Sequence, residues 1–401
     1  MEHLHGWMKQ DHRSSENAPW SAELTLLLAT IRWPAPLELV RSLAGPDLDW
    51  QEFLALGARH RVLGLVAHAI DAAGVEPPPQ VAARLRSEAS RIRLEEIGYA
   101  AEAQRLQKLL AEAGVASFVL KGVINANLAF GKLGLRVNRD LDLLVDLAAV
   151  GSAVTVLEAQ GYQRVEPAAA ASAAEVARWC ASHKDMVFIH ATTARILELH
   201  WRLFDNPYYF PVPDHLTATR YNLEHDISVT GLDADFTLIY LCVHGSQHAW
   251  SRLKWLADIA PILGRLSADQ FLKLYDLSRR SRVDRSFKQG VFLCERLLGL
   301  EIPAAAKSQM RRSTLDNLLE FVAVQAIVGS GSREIEDQRF GTTQKNISHY
   351  LLGRGVRYRL AEAVFDANDY SLEGRAQGWR FAGPLARPLL WAHAQLSKFR
   401  G

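Results

Sequence analysis

Two carboxylates two residues apart interrupt an apolar run at Arg139-Asp140-Leu141-Asp142-Leu143-Leu144-Val145. Side chains alternate along a strand, so Asp140 and Asp142 share one face while Leu141 and Leu143 share the other. Adjacent carboxylates repel, and an apolar strand gains nothing from them. A divalent cation between them removes the repulsion. The pattern demands a strand with one charged face, and it points to a Mg²⁺ site for phosphate chemistry.

A third acid belongs with such a pair when two metals serve phosphoryl transfer. Glu198 is the candidate, because in Ile196-Leu-Glu-Leu-His-Trp it too interrupts an apolar strand. Ile196, Glu198 and His200 share a face, opposite Leu197, Leu199 and Trp201. Laid beside residues 140–145, Glu198 completes an Asp140/Asp142/Glu198 triad. Upstream, Leu120-Lys121-Gly122 ends a short apolar stretch and opens a helix. Glycine admits a phosphate close to the backbone, and a helix N-terminus offers unpaired N–H groups. Lys121 can add a point charge there, and Arg136 and Arg139 are candidates for a triphosphate.

The rest of the chain reads as helical on both sides of a small α+β unit. Ser21 to Ile31 has the texture of a capped apolar helix, and Val81 to Ala113 that of one long helix stopped at Gly114. Short strands are expected at 116–120, 139–145, 162–165, 185–189 and 195–201, with helices at 123–131 and 148–160. Helices return from Asp233 onward, with one or two expected over Phe236 to Leu263. The expected domains are a helical region 1–115, an α+β core 116–230 and a helical region 231–401. At the C-terminus, Arg380, Arg387 and Arg400 flank Leu389, Leu390, Trp391 and Phe399. That segment either packs on the body or lies at a membrane or partner surface.

Composition narrows the classes. The 46 basic and 44 acidic residues leave a net charge of +2, no electrostatic basis for a dedicated nucleic-acid partner. Three widely spaced cysteines do not make a disulfide framework. No apolar stretch has the length of a transmembrane segment, and the N-terminus lacks a signal peptide's apolar core. A cytoplasmic protein is the expectation.

Together these residues resemble the nucleotidyltransferase superfamily that includes DNA polymerase β: a glycine turn, an acid-x-acid strand, then a single acid on a later strand. More closely, the chain resembles the bacterial family of uncharacterised nucleotidyltransferases. The matching stretches are Leu120-Lys-Gly, Arg139-Asp-Leu-Asp-Leu-Leu-Val, Leu197-Glu-Leu-His-Trp, and Leu241-Cys-Val-His-Gly-Ser-Gln-His-Ala-Trp followed by Ser251-Arg-Leu-Lys-Trp-Leu-Ala-Asp. The likeness covers about residues 20–330. It implies a mixed-sheet core and transfer of a nucleoside monophosphate from an NTP such as ATP, using Mg²⁺ or Mn²⁺ held by Asp140, Asp142 and Glu198. Glu198 would also activate the acceptor hydroxyl, on a small molecule, peptide or protein.

Two departures accompany the likeness. Val123 follows Gly122 where the superfamily carries a second glycine or a serine, so a hydroxyl contact to phosphate is missing. The gap from Gly122 to Asp140 is also longer than usual. They define the rival expectation, a nucleotide-binding or interaction protein on the same fold without catalysis.

His244 and His248 are four apart on one helical face, with Trp255 and Asp258 extending the stripe. Such a pair holds zinc only with further ligands, and it serves as readily in packing. The reading adopted places His244, His248 and Lys254 across the cleft from the acids, near base or acceptor. His200 joins the nucleotide-side candidates.

Overall fold

A computed structural model describes residues 20–213, 216–329, 331–332 and 341–372. The C-terminal arginine and tryptophan segment read from the sequence lies outside these residues. Four short helices come first: α1 (Ala22–Thr30), α2 (Leu37–Leu43), α3 (Trp50–Arg59) and α4 (Leu63–Ala72). Ser21 caps α1 through its side chain, as its sequence position suggests. Then comes α5 (Pro79–Glu112), 34 residues long, with proline in its first turn.

The sheet is built from β1 (Ser117–Val119), β2 (Asp140–Val145), β3 (Tyr162–Glu166), β4 (Asp185–His190), β5 (Ile196–His200), β6 (Ala218–Asn222) and β7 (Ser228–Leu232). Helices α6 (Val123–Phe130), α7 (Val150–Ala159) and α8 (Ala173–Ser182) connect the earlier strands. The spatial order is β3-β4-β5-β2-β1-β7-β6. β2 runs antiparallel to β1 and parallel to β5, so the sheet is mixed. Strands β6 and β7 were not anticipated. Their short segments, Ala-Thr-Arg-Tyr-Asn and Ser-Val-Thr-Gly-Leu, carry too little apolar alternation to announce themselves. They extend the sheet beyond β1, where α5 packs along β1 and β7.

After the sheet come α9 (Ala234–Gln247), α10 (Leu253–Leu263), α11 (Ala268–Arg280), α12 (Asp284–Leu298), α13 (Ala304–Gln309), α14 (Thr314–Val328), α15 (Gly341–Leu352) and α16 (Val356–Leu372). One continuous apolar core links Leu27 of α1, Leu143 of β2, Leu199 of β5, Leu256 of α10 and Phe287 of α12. The fold is α+β, with a mixed sheet between helical regions. Among the described residues no helix is long and apolar enough to cross a membrane.

The long stretch between α6 and β2 is not slack. Residues 131–139 are pinned from several sides. The Glu96 carboxylate of α5 accepts from the backbone N–H of Gly134 at 2.5 Å and of Arg136 at 3.3 Å, and from Asn138 Nδ2 at 3.1 Å. Glu224 accepts from the N–H of Leu133 at 3.0 Å. Gly134 has φ +98°, a region that only glycine enters cheaply. From α4, Gly64 lies so close that a Cβ there would stand 2.4 Å from the Leu135 carbonyl oxygen. The obstacle is backbone, which cannot rotate away. Gly64→Ala should therefore destabilise the fold by about 1–3 kcal/mol. An unchanged urea midpoint in that variant would show that this loop is not wedged against α4.

Candidate active site

Parallel pairing of β2 with β5 sets Asp142 directly opposite Glu198, and Leu144 opposite His200. On the other side of β5, antiparallel β4 sets Asp185 opposite His200. Acids from three neighbouring strands thus meet on one face. His200 Nε2 is 3.1 Å from Asp142 Oδ1, 3.2 Å from Glu198 Oε2 and 3.7 Å from Asp185 Oδ2. From the β1–α6 turn, Lys121 Nζ reaches Asp142 Oδ1 at 2.9 Å and Asp140 Oδ1 at 3.6 Å. Asp142 is only 1 % exposed, whereas Asp140 keeps 32 % of its side chain in solvent.

The electrostatics follow from that packing. Burial raises Asp142 above the usual carboxylate range, and the Lys121 charge only partly offsets it. Asp140 is buried less completely, and there Lys121 wins and lowers it. Burial also opposes ionisation of Glu198, but the His200 hydrogen bond and the Lys121 charge hold it well below its ordinary value. Burial alone would depress His200. Its hydrogen bond to Asp142, the charge of Asp185 and its hydrogen bond to Glu198 raise it instead to about 9. Lys121 is likewise kept protonated against burial by Asp140, Asp142 and Glu198.

The donor set fits a divalent cation. Asp142, Glu198 and His200 each present one ligand atom, and these atoms lie within 4.8 Å of one another. Two carboxylates suit Mg²⁺, and an imidazole nitrogen beside them suits Mn²⁺ better. Among the described residues the metal-ready group includes His200 rather than Asp140. Asp140 stands at the rim, tied to Lys121.

Gly122 turns the chain into α6 with φ +76°, which favours glycine over any larger residue. No side chain caps α6, so its N-terminal N–H groups are not taken up by a cap. Arg136 is committed elsewhere. Its Nε donates to both Asp258 oxygens at 3.0 Å, and its Nη1 donates to Asn138. Asn125 of α6 donates to the same Asp258 at 3.2 Å. This buried cluster ties the loop to α10 and commits Arg136 Nε and Nη1 to Asp258 and Asn138. Arg139 is exposed, and its carbonyl accepts from Tyr99. The geometry does not bring Arg139 into the acid cluster.

A family model described as uncharacterised nucleotidyltransferase matches residues 46–299. The chain belongs to this family. No curated protein matches the chain. A crystal structure of an antigenic nucleotidyltransferase-like protein from Paracoccidioides brasiliensis is similar at 15% identity, covering 52% of this chain and 95% of that one, with a TM-score of 0.30.

Helix α9 and the residues after it lie beside the acid cluster, near enough for His244 and Tyr240 to feel the Lys121 charge. His244 and His248 rings stand 4.7 Å apart, and His248 stacks on Trp255 at 4.9 Å. Burial keeps both imidazoles neutral, and Lys121 adds to that effect. No carboxylate or thiol joins the pair in a metal-ready group among the described residues. Burial, with Arg136, Arg61 and Lys121 nearby, also pulls Lys254 well below its ordinary value. Lys254 is close enough to Asp140 to lower it.

Three residues escaped the sequence reading. Asp185 carries the same signal that marked Glu198, an acid in an apolar strand, but it sits at the strand's first position. Lys184 pairs with it. Tyr240 of α9 is fully buried and feels the charges of Lys121 and Asp142.

Glu96 supplies a test of how the loop is held. Burial raises it to about 7 despite its three hydrogen bonds, against 4.5 for a free glutamate. The folded protein therefore keeps a proton that the unfolded chain releases between pH 4.5 and 7. Stability should fall as pH rises through that window, by about 3 kcal/mol at most. Glu96→Gln should flatten this slope even if its whole curve is displaced. Parallel pH profiles for the two proteins in urea unfolding would refute the assignment.

Proposed function

We propose that this protein is a Mg²⁺-dependent nucleotidyltransferase. It moves a nucleoside monophosphate from an NTP to a hydroxyl or phosphate acceptor on a small molecule, peptide or protein, releasing pyrophosphate. The observation that supports this best is the direct register of Asp142 against Glu198, with Asp140 two residues away on the same face.

Asp140, Asp142 and Glu198 would hold the cation, with His200 Nε2 within reach, and the cation when bound neutralises phosphate charge and polarises the α-phosphate. The chain supplies the rest. Gly122 and the N-terminal N–H groups of α6 receive phosphate oxygens. Lys121 turns its charge toward them. Glu198 would take the proton of the attacking hydroxyl. The new bond joins acceptor oxygen to α-phosphorus as the bond to the β-phosphate bridging oxygen breaks. His244, the stacked His248–Trp255 pair and Lys254 form the opposite wall, where base or acceptor would lie.

A second reading has its own support. Lys121 already neutralises Asp140 and Asp142 as a tethered cation, and Val123 offers phosphate no hydroxyl. A protein on this plan binds nucleotide without turnover.

Pyrophosphate release from each of the four NTPs, with Mg²⁺ or Mn²⁺ and a cell extract as acceptor source, separates the two. Metal-dependent release should fall roughly a hundredfold or more in Asp142→Asn, with unchanged circular dichroism. Full activity in that variant would remove Asp142 from the mechanism. Nucleotide binding with no release under any condition would favour the silent protein.

A further inference from the structure

Helix α16 is docked on its polar side. Asn206 Nδ2 donates to the Tyr358 carbonyl at 3.0 Å and to Glu362 Oε2 at 2.7 Å. Tyr358 and Glu362 are buried, and Tyr358 packs on Tyr209. The helix therefore turns its other side to solvent. There Val356, Leu360 and Val364, four residues apart, form one stripe with 72 %, 62 % and 51 % exposure. Arg357 and Arg359, both exposed, flank this stripe. Packing explains none of it, because a helix that only braced the fold would bury its apolar stripe.

The stripe adjoins a concentration of positive charge. Arg279, Arg280, Arg282 and Arg354 line a hollow of about 470 Å³ with Asp276 and Asp284. Arg280 pairs with Asp276 and Arg354 with Asp284, so the two acids are used up. Arg279 and Arg282 make no ion pair among the described residues. Behind them Arg285 is lowered by burial and by the charge of Arg354. Counting Arg357 and Arg359, six exposed arginines gather here around Asp276 and Asp284. The near-neutral total conceals a strongly basic corner.

We propose that this corner, the α16 stripe with the α11–α12 arginines, is a docking surface for an anionic phospholipid membrane. The charge selects the occupant. A second copy of the chain would set arginines against arginines. The chain's own last residues, 373–401, carry five lysines and arginines against one glutamate, so they are like-charged with the arginines of the corner. A lipid surface offers both things the corner lacks: phosphates for the guanidinium groups and an apolar layer for the valine–leucine stripe. The protein would bind at the membrane surface without crossing it.

Co-sedimentation of the full chain with two kinds of vesicle tests this. One is phosphatidylcholine alone, the other an equal mixture with phosphatidylglycerol. The protein should partition onto the anionic vesicles, and added salt should release it. Arg357→Glu combined with Arg359→Glu should reduce partitioning roughly tenfold or more. Leu360→Asp, tested separately, should also reduce it. All three sites are exposed, so thermal melts should match the wild type. Equal binding to both vesicles, or undiminished binding by both variants, overturns the proposal. Retention on polyuridylate without vesicle binding also overturns it and assigns the corner to nucleic acid.

Discussion

Asp142 sits almost fully buried between two cations that belong to different parts of the chain, and the centre of the molecule depends on that arrangement. A buried, uncompensated carboxylate is expensive enough to unfold a protein of ordinary stability. Lys121 answers it from the β1–α6 turn, and His200 answers it from β5. Both arrive only because β1 and β5 are the two neighbours of β2 in the sheet. Strand order, glycine turn and charge balance are one constraint seen from three sides. A divalent cation bound there would take over the role that the two internal cations share.

Helices outside the sheet hold this centre in place. Glu96 of α5 and Asp258 of α10 grip the loop that delivers β2, and Gly64 of α4 lets it pass. The loop is long, but each of its turns is fastened. The unusual spacing between the glycine turn and the acid pair is thus a helix, α6, plus a tethered connection. Arg136 shows how such scaffolding alters a sequence reading. An arginine just ahead of two acids looks available for phosphate, yet Asp258, over a hundred residues further on, already holds it.

The acid pair and the lone acid were legible because each breaks an apolar period of two, and a strand has few reasons to accept that. Register between them was not legible. Nothing local in Ile196–His200 specifies that Glu198 faces Asp142, since pairing between distant strands is settled by the packing of the whole sheet. Long helices such as α5 announced themselves through composition and a glycine stop. Strands β6 and β7 did not, being short and half-polar. His244 and the C-cap His248 set their rings 4.7 Å apart, but only the fold shows that burial lowers both and that His248 stacks on Trp255.

The sequence by itself determined the chemistry-bearing residue types, their periodicity and the mixture of helix and strand, because these depend on neighbours within a few residues. Tertiary structure alone decided which acids lie together, that His200 joins them and that Arg136 is paired with Asp258. It also gathered a basic corner out of a chain of nearly balanced charge. Those outcomes depend on distances between segments far apart in sequence. Such distances are set only when one core must bury every apolar face at once.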